Sequence, residues 1–566
     1  MKRKLKPWVI PTFAVIVSLI VGAIVIGVMS SRNNDKNDIT DNTTITMSTS
    51  GSVNQTENTL ETVTVTETAK NEETSKPNDN NEETSKSNDN TTIKGYVNTF
   101  SGYTSLFAAN GGNVTSKGSN FDKAGLNVEI VIEDDDQKII SAFKNNEIQF
   151  FAMTVNKMAM VSKEFEDCSI ETVMPLLLDT STGGDGIIAD IAVKSIADLK
   201  NVKIGMAKES VSTAIPVWFL NQSGLSDEEV QEIVRNFVLF DSTQEAVEAF
   251  TRGEVGAVST WDITGALEKE NSHILVDTST AEYLVIDGIV FRKDFVENHE
   301  SEIIAMIDAI LTTVDDIHNE QNVKEYYGAI RQSVPDFSEY SDKELTEEIS
   351  LAKFLGYNEN LEAFTVVEDI YKDFGKVWQQ LGYKTGTAQI ADDKYFEKLS
   401  AKWKESNDVP DKSDFNSTEA NNAIDQEALI SKHVKILFNG DSAEFKTGYE
   451  QTNKELINEF VKVAKIMNKT VIKISGHVNL GPGSSMWDEA TQSYKIVPGF
   501  SSSEFAYMLS TMRAETVKEY MVSQGISENR IIIEGVGGDY PIDTNDTPEG
   551  QANNRSCEIS FYKAGY

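Results

Sequence analysis

"VKIGMAKESVSTAIPVWFLNQSG", residues 202–224, reads as a short strand, a polar turn and a helix in immediate succession. "VKIGMA" (202–207) is too short and too β-rich for a helix, while the apolar run from Ala214 to Leu220 has helical length and stops at a glycine. The turn between them, 208–214, offers Ser210 and Ser212 at the helix start. Working outward, the same phrase recurs: "TIKGYVNTF" (92–100), "GLNVEIVIE" (125–133) and "DQKIISAFKNNEIQFFAM" (136–153) on one side, "VRNFVLFD" (234–241), "STQEAVEAFTRG" (242–253) and "EVGAVSTW" (254–261) on the other. Such βαβα alternation predicts parallel sheets covered by helices, and its two sets predict two lobes. From about residue 295 the texture turns helical, as in 300–320, 365–382 and 393–403.

Ligands of α/β sheets sit at the carboxyl ends of the strands, where helix N-termini present free N–H groups. Four polar turns take that position: "TFSGYTSL" (99–106), "MTVNK" (153–157), "KESVSTA" (208–214) and "STWD" (259–262). Any one Ser or Thr among them reads equally as a helix N-cap; four together predict a shared cleft. Asp262 faces a cationic ligand or caps the following helix. Lys157 and Lys208 stand near the same turns as Asp179 and Asp185, so the charge of the ligand stays open.

The phrases at 95–153, 195–226 and 242–262 resemble the substrate-binding proteins of ABC importers, in particular the nitrate/taurine/thiamine-precursor branch. The resemblance implies a periplasmic-binding-protein type II fold over 93–404, two lobes joined by crossing strands that close over a small molecule. It also implies that Ser101, Gly102, Tyr103, Thr154, Ser210, Val211, Ser212 and Trp261 line the cleft, which Asp262 joins as a ligand contact where it does not serve only as a cap.

A polar stretch at 405–430 reads as a linker, and a smaller domain follows over 431–566. Its order is strand, turn, amphipathic helix with Leu456, Phe460, Val463, Ala464 and Met467 on the apolar face, strand, a second helix ended by Gly525, then two more strands. This is a βαβαββ-like α+β sandwich with helices on one face. Arg513 sits on that second helix beside a face already filled by Val517, Tyr520 and Met521.

"LFNGDSAEF" (437–445), "ISGHVN" (474–479), "LSTMRAETVKEYMVSQGI" (509–526), "RIIIEGVGGDYPI" (530–542) and "NNRSCEI" (553–559) resemble the OmpA-like, peptidoglycan-binding domain. The resemblance implies that Arg513 clamps a carboxylate of the wall stem peptide, for which a bidentate guanidinium is better shaped than an ammonium. Arg555 matches the first arginine of the family's last phrase, and Asn479 stands where the family has an aspartate. The amide still accepts a hydrogen bond but loses the charge-assisted part. Asn479 and Arg513 are 34 positions apart, a longer separation than the family's, because of the insertion 481–505, whose Asp488 can stand in for the missing carboxylate. Wall binding is therefore expected to be weakened or altered.

The 566 residues exceed one core and carry 89 Asp+Glu against 51 Lys+Arg, a net charge of -38 that repels nucleic acid and anionic lipid. Two cysteines and five histidines, without HExxH or paired CxxC, predict no disulfide scaffold, no metal site and no cofactor. Four basic residues between Lys2 and Lys6 precede an uncharged run, Trp8–Met29, whose 22 residues span roughly 30 Å as a helix. A single-pass anchor over 1–31 with a cytoplasmic N-terminus and an extracytoplasmic bulk is the expectation; a cleaved signal peptide is the alternative. Residues 32–92, with the near-repeat "NEETSKPNDN"/"NEETSKSNDN" (71–90), read as a disordered tether with a reach of roughly 40–45 Å.

Together these readings predict a membrane-anchored, cell-wall-associated solute-binding protein. It is not an enzyme, and its partners are a small molecule, a peptidoglycan stem peptide and an ABC permease. The alternative is a membrane-to-wall tether or sensor with a degenerate solute domain.

Overall fold

The computed structural model describes residues 91–318, 322–350, 352–387, 389–403, 417–439, 442–479, 485–488, 493–496, 504–544 and 546–564. The expected membrane span and most of the tether lie outside these residues. Among the described residues no helix is long and apolar enough to cross a membrane.

Two sheets build the first domain. One has six strands in the order β11-β4-β10-β3-β1-β2, comprising β1 (Thr92–Val97), β2 (Asn127–Ile132), β3 (Phe150–Thr154), β4 (Thr172–Ser181), β10 (Ile286–Arg292) and β11 (Ala352–Phe354). The other has five in the order β7-β6-β8-β5-β9, comprising β5 (Gly186–Asp190), β6 (Ile204–Ala207), β7 (Phe237–Phe240), β8 (Ala257–Thr260) and β9 (Ser272–Asp277). The chain passes from the first sheet to the second between β4 and β5 and returns between β9 and β10. The two lobes are therefore joined by two crossings.

The expectation of parallel sheets needs correction. β1 runs parallel to β2 and β3, and β6 to β7 and β8, but β10 lies antiparallel between β3 and β4, and β5 is antiparallel to β8 and β9. The antiparallel strands β5 and β10 are the ones that follow the crossings. A chain that leaves one sheet and re-enters it without a covering helix has no βαβ crossover to keep it parallel.

All ten residues of β4 are buried, Asp179 and Thr180 among them. Asn360 binds the long helix Tyr357–Gln380 to this strand: its Nδ2 donates to Leu177 O (3.1 Å) and its Oδ1 accepts from Leu177 N (3.0 Å). A buried amide with both ends satisfied fixes register as well as contributing to stability.

The C-terminal sheet has the order β12-β17-β13-β16, from β12 (Ile430–Val434), β13 (Thr470–Gly476), β16 (Ile531–Gly535) and β17 (Cys557–Lys563). A hairpin, β14 (Ser485–Asp488) and β15 (Ser493–Ile496), occupies the insertion, and a short helix, Pro548–Asn553, precedes β17. A further helix, Ser417–Ala423, falls in the expected linker and packs Ala420 and Ala423 against Val471 and Tyr562. On the helix Glu450–Ile466 the expected apolar face holds at Phe460, Val463, Ala464 and Met467 and fails at one position: Leu456 is 38% exposed, and Ile457 is buried in its place. Spacing of three and four residues from Ile457 reaches Phe460, Val461 and Ala464, and Leu456 lies about 100° away from it around the helix.

The helix Glu504–Ser523 lies almost on the backbone of β13 and β16. A Cβ added at Gly476 would meet Ser510 O at 2.0 Å, and one at Gly535 would meet Tyr507 O at 2.5 Å. These glycines are needed for the close approach that brings Arg513 to the strand ends.

Arg530, which the sequence reading left without a role, closes the other end of this layer. Its buried guanidinium donates to Thr470 O (2.9 Å), Ala464 O (3.0 Å) and Met467 O (2.7 Å), ending the helix Glu450–Ile466 on side-chain donors. Arg530→Ala is expected to destabilise the protein by about 3–5 kcal/mol, because several buried carbonyls lose charge-assisted bonds together. Arg530→Lys should recover only part of this, since one ammonium cannot reproduce the fork. Urea unfolding followed by circular dichroism measures it, and a loss below about 1 kcal/mol would contradict the role.

The C-terminal domain packs on the first. Lys462 Nζ reaches Asp373 at 2.8 Å on the helix Tyr357–Gln380, and Asn468 Nδ2 donates to Glu282 (2.8 Å) on the crossing between β9 and β10.

Candidate functional site

β1 ends in the turn Ser101–Tyr103, and all three residues are buried. A Cβ at Gly102 would stand 2.4 Å from Asp179 Oδ2, so only glycine lets this turn close over β4. Tyr103 Oη donates to Asp287 Oδ1 at 2.5 Å, and Asp287 is the register partner of Asp179 across β10 and β4. Asp179 is fully buried, and neither of its carboxylate oxygens has a hydrogen-bond partner.

Asp185 stands on the first crossing, held by a knot around Thr278 on the second. Thr278 Oγ1 accepts from Gly183 N (2.9 Å) and lies 2.9 Å from Ser181 Oγ. Burial, with Asp287 close by, pushes Asp179 well above the usual carboxylate range. Burial pushes Asp287 up to about 7, against the opposing hydrogen bond from Tyr103, and Asp185 up to about 6. Tyr103 is likewise raised by burial and by Asp287. Burial is the largest cause in each case, and a neighbouring acid adds to it for Asp179 and Asp287.

The other residues singled out in the sequence sit at strand ends, several of them as caps. Thr154 accepts from Lys157 N (3.1 Å), Ser210 from Ser212 N (3.2 Å) and Asp262 from Gly265 N (2.9 Å). Asp262 thus caps the helix that follows it. Val211 opens the helix Val211–Gln222, Ser212 is buried beside it with its hydroxyl unpartnered, and Glu209 adopts a left-handed φ of 53° to turn the chain into that helix. Trp261 is 63% exposed at the end of β8. Both lysines of the turns are matched by acids, Lys157 by Asp136 and Lys208 by Asp241 at 2.7 Å.

In the C-terminal domain Arg555 meets Asn479, and Arg513 reaches the backbone two residues before it. Arg513 is 2% exposed; its Nε donates to Ser442 O (3.2 Å), its Nη1 to His477 O (3.4 Å), and its guanidinium stands 5.0 Å from the Phe438 ring centroid. Arg555 Nη1 donates to Asn479 Oδ1 at 3.4 Å. The carbonyls of Ser442 and His477 and the ring of Phe438 orient one guanidinium at the carboxyl end of β13, with Asn479 two residues beyond His477. The side chain of Asp488 lies outside the described residues.

Sequence reasoning missed Asp287, the partner of Tyr103, and a cluster of His433, His477 and Glu558 in the C-terminal sheet. For Asp287 a signal existed in "LVIDGIVF" (284–291), an acid inside an otherwise apolar strand. Burial and the neighbouring His433 hold the His477 imidazole below its ordinary range.

A family profile described as NMT1/THI5 like matches residues 115–323, and the OmpA family profile matches residues 437–555. Outer membrane protein A of Bordetella avium is 32% identical over 131 residues, which is 23% of this chain and 57% of that protein. The peptidoglycan-binding protein ArfA of Mycobacterium bovis is 45% identical over 51 residues, 9% of this chain and 16% of that protein. The chain thus spans little more than half the length of the first of these relatives and less of the second. Among solved structures, the periplasmic aliphatic sulphonate binding protein SsuA from Escherichia coli aligns with 50% of this chain and 92% of its own at 13% identity and a TM-score of 0.37. The periplasmic domain of Helicobacter pylori MotB aligns with 24% of this chain and 75% of its own at 20% identity and a TM-score of 0.19. The chain carries an NMT1/THI5-like domain followed by an OmpA-family domain.

Proposed function

We propose that this chain is an extracytoplasmic solute-binding protein. Its domain 93–404 captures a small cationic solute between the two lobes and presents it to an ABC-type permease. Its domain 431–566 grips the stem peptide of peptidoglycan, and the apolar run Trp8–Met29 anchors it in the membrane. The observation that carries the reading is the buried group of Tyr103, Asp179 and Asp287, placed where one lobe's strands meet the crossings. Closure orders Ser101, Gly102, Tyr103 and Thr154 from one lobe and Ser210, Val211, Ser212 and Trp261 from the other around the solute, and its differential affinity for the closed state selects it. On the wall side, Arg513 and Arg555 take a carboxylate of the stem peptide and Asn479 accepts from its ammonium.

A second reading, a membrane-to-wall tether or sensor whose solute domain is degenerate, is favoured by the complete burial of Asp179, which leaves its carboxylate enclosed by the protein itself. Thermal shift of the full chain against matched panels of organic cations and anions separates the two. A cation that raises Tm in wild type but not in Asp179→Asn supports capture. A flat response to both panels supports the tether, and a hit among sulfonates or carboxylates alone overturns the cationic assignment.

A further inference from the structure

We propose that His433, His477 and Glu558 form a binding site for a borderline divalent transition-metal ion, zinc above all, on the C-terminal sheet. It is separate from the solute cleft and adjoins the arginine clamp through His477, whose imidazole faces the cluster while its carbonyl accepts from Arg513. His433 and Glu558 come from different strands and His477 directly follows a third, yet sheet register puts them on one face. His433 and Glu558 are direct cross-strand partners between β12 and β17, and Glu558 faces Ser475 on β13, two residues before His477. Alternation along the pleat returns the same face every second residue, so Ser475 and His477 both project where Glu558 does. One ligating atom from each residue lies within 4.8 Å of the others, and the two imidazole centroids are 5.9 Å apart.

The imidazole of His477 supplies the second, independent observation. It is 5% exposed, its Nδ1 lies 3.3 Å from Tyr540 O, and its Nε2 is enclosed without any hydrogen-bond partner. A carbonyl oxygen only accepts, so Nδ1 carries the proton and Nε2 keeps its lone pair. A backbone carbonyl fixing the tautomer of a histidine whose other nitrogen is free is the usual support for a metal-ligating ring. Glu558 is oriented in the same way by the hydroxyl of Ser431. An enclosed nitrogen lone pair that binds nothing costs free energy in the folded protein; a metal ion would satisfy it.

Two imidazoles and one carboxylate suit zinc, with water as fourth ligand, and disfavour magnesium and calcium, which take oxygen. Zinc bonds of about 2.0–2.2 Å bring neighbouring ligand atoms to roughly 3.5 Å from one another. The exposed His433 supplies the remaining movement by side-chain rotation.

Isothermal titration of the chelator-treated full chain with zinc chloride tests the proposal, followed by cobalt(II) absorption. We expect one tight equivalent, the intense visible bands of four-coordinate cobalt, and a loss of at least about 10- to 100-fold in affinity for His433→Gln and for Glu558→Gln. His433 is exposed and Glu558 half-buried, and folding of both variants is checked by an unchanged circular dichroism spectrum. Magnesium should not compete. Wild type and His433→Gln titrating alike, or no saturable zinc equivalent in wild type, overturns the site.

Discussion

Arg513→Ala is expected to abolish retention of the chain on purified peptidoglycan. Its guanidinium is almost fully buried and is aimed by Ser442 O, His477 O and the Phe438 ring, so the residue is held in place before ligand arrives. Removing a buried, hydrogen-bonded charge from a carboxylate complex costs about 2–4 kcal/mol, roughly 30- to 1,000-fold in Kd. Because the same truncation strands two buried carbonyls, part of the effect will appear as lost stability. Two further variants separate the contributions. Arg513→Lys keeps the charge without the fork and should recover little binding. Arg555→Ala, at a half-buried position, should weaken retention with little change in Tm. Sedimentation of protein with washed wall material reads all three. Equal pelleting of wild type, Arg513→Ala and Arg555→Ala would remove the clamp from the account. Asn479→Asp should strengthen retention by restoring charge opposite the ligand's ammonium.

The second large effect lies in pH. Asp287, lifted to about 7 by burial, and Asp185, lifted to about 6, hold protons in the folded protein that an unfolded aspartate releases near pH 4. Between about pH 4 and 7 the native state therefore binds more protons than the unfolded one, and stability falls as pH rises through that window. Each group contributes up to about 1.4 kcal/mol per pH unit. Carboxylates held low at the surface, such as Asp241 beside Lys208, act in the opposite sense, losing their contribution only as pH drops below the ordinary carboxylate range. The two windows barely overlap. Melting temperatures across pH 4–8 should fall for wild type and fall less steeply for Asp287→Asn, which should be the more stable of the two at pH 8. If both give the same slope, the buried acid is not linked to folding. A cationic solute should reverse the trend, since it favours the ionised pair, so its affinity is expected to rise between pH 5 and 8. That rise should vanish in Asp287→Asn.

Much of the framework was legible in order along the chain. Strand–turn–helix phrases such as 202–224 place Ser210 and Thr154 at strand ends because local rules of length, capping and punctuation act over a few residues. Arg513 was singled out by the resemblance of its phrase to the OmpA-like domain, since by its place on the helix alone it reads as a solvated arginine; the structure buries it against two carbonyls. Asp262 shows the limit of such local reading: the cap and the ligand contact carry the same signature, and the structure shows the cap.

What the linear order of residues determined by itself was the kind of element at each place, the division into an α/β and an α+β part, and the charged positions that require an explanation. Tertiary structure alone decided which distant positions meet. Asp179 faces Asp287 only because β10 returns antiparallel beside β4, and Arg530 ends a helix whose last turn lies more than sixty residues earlier. His433, His477 and Glu558 share a face only through the register of three strands. Register is set by the summed burial of whole sheets, and a slip of one residue would turn each side chain to the opposite face. No short-range pattern around any one of these residues carries that information.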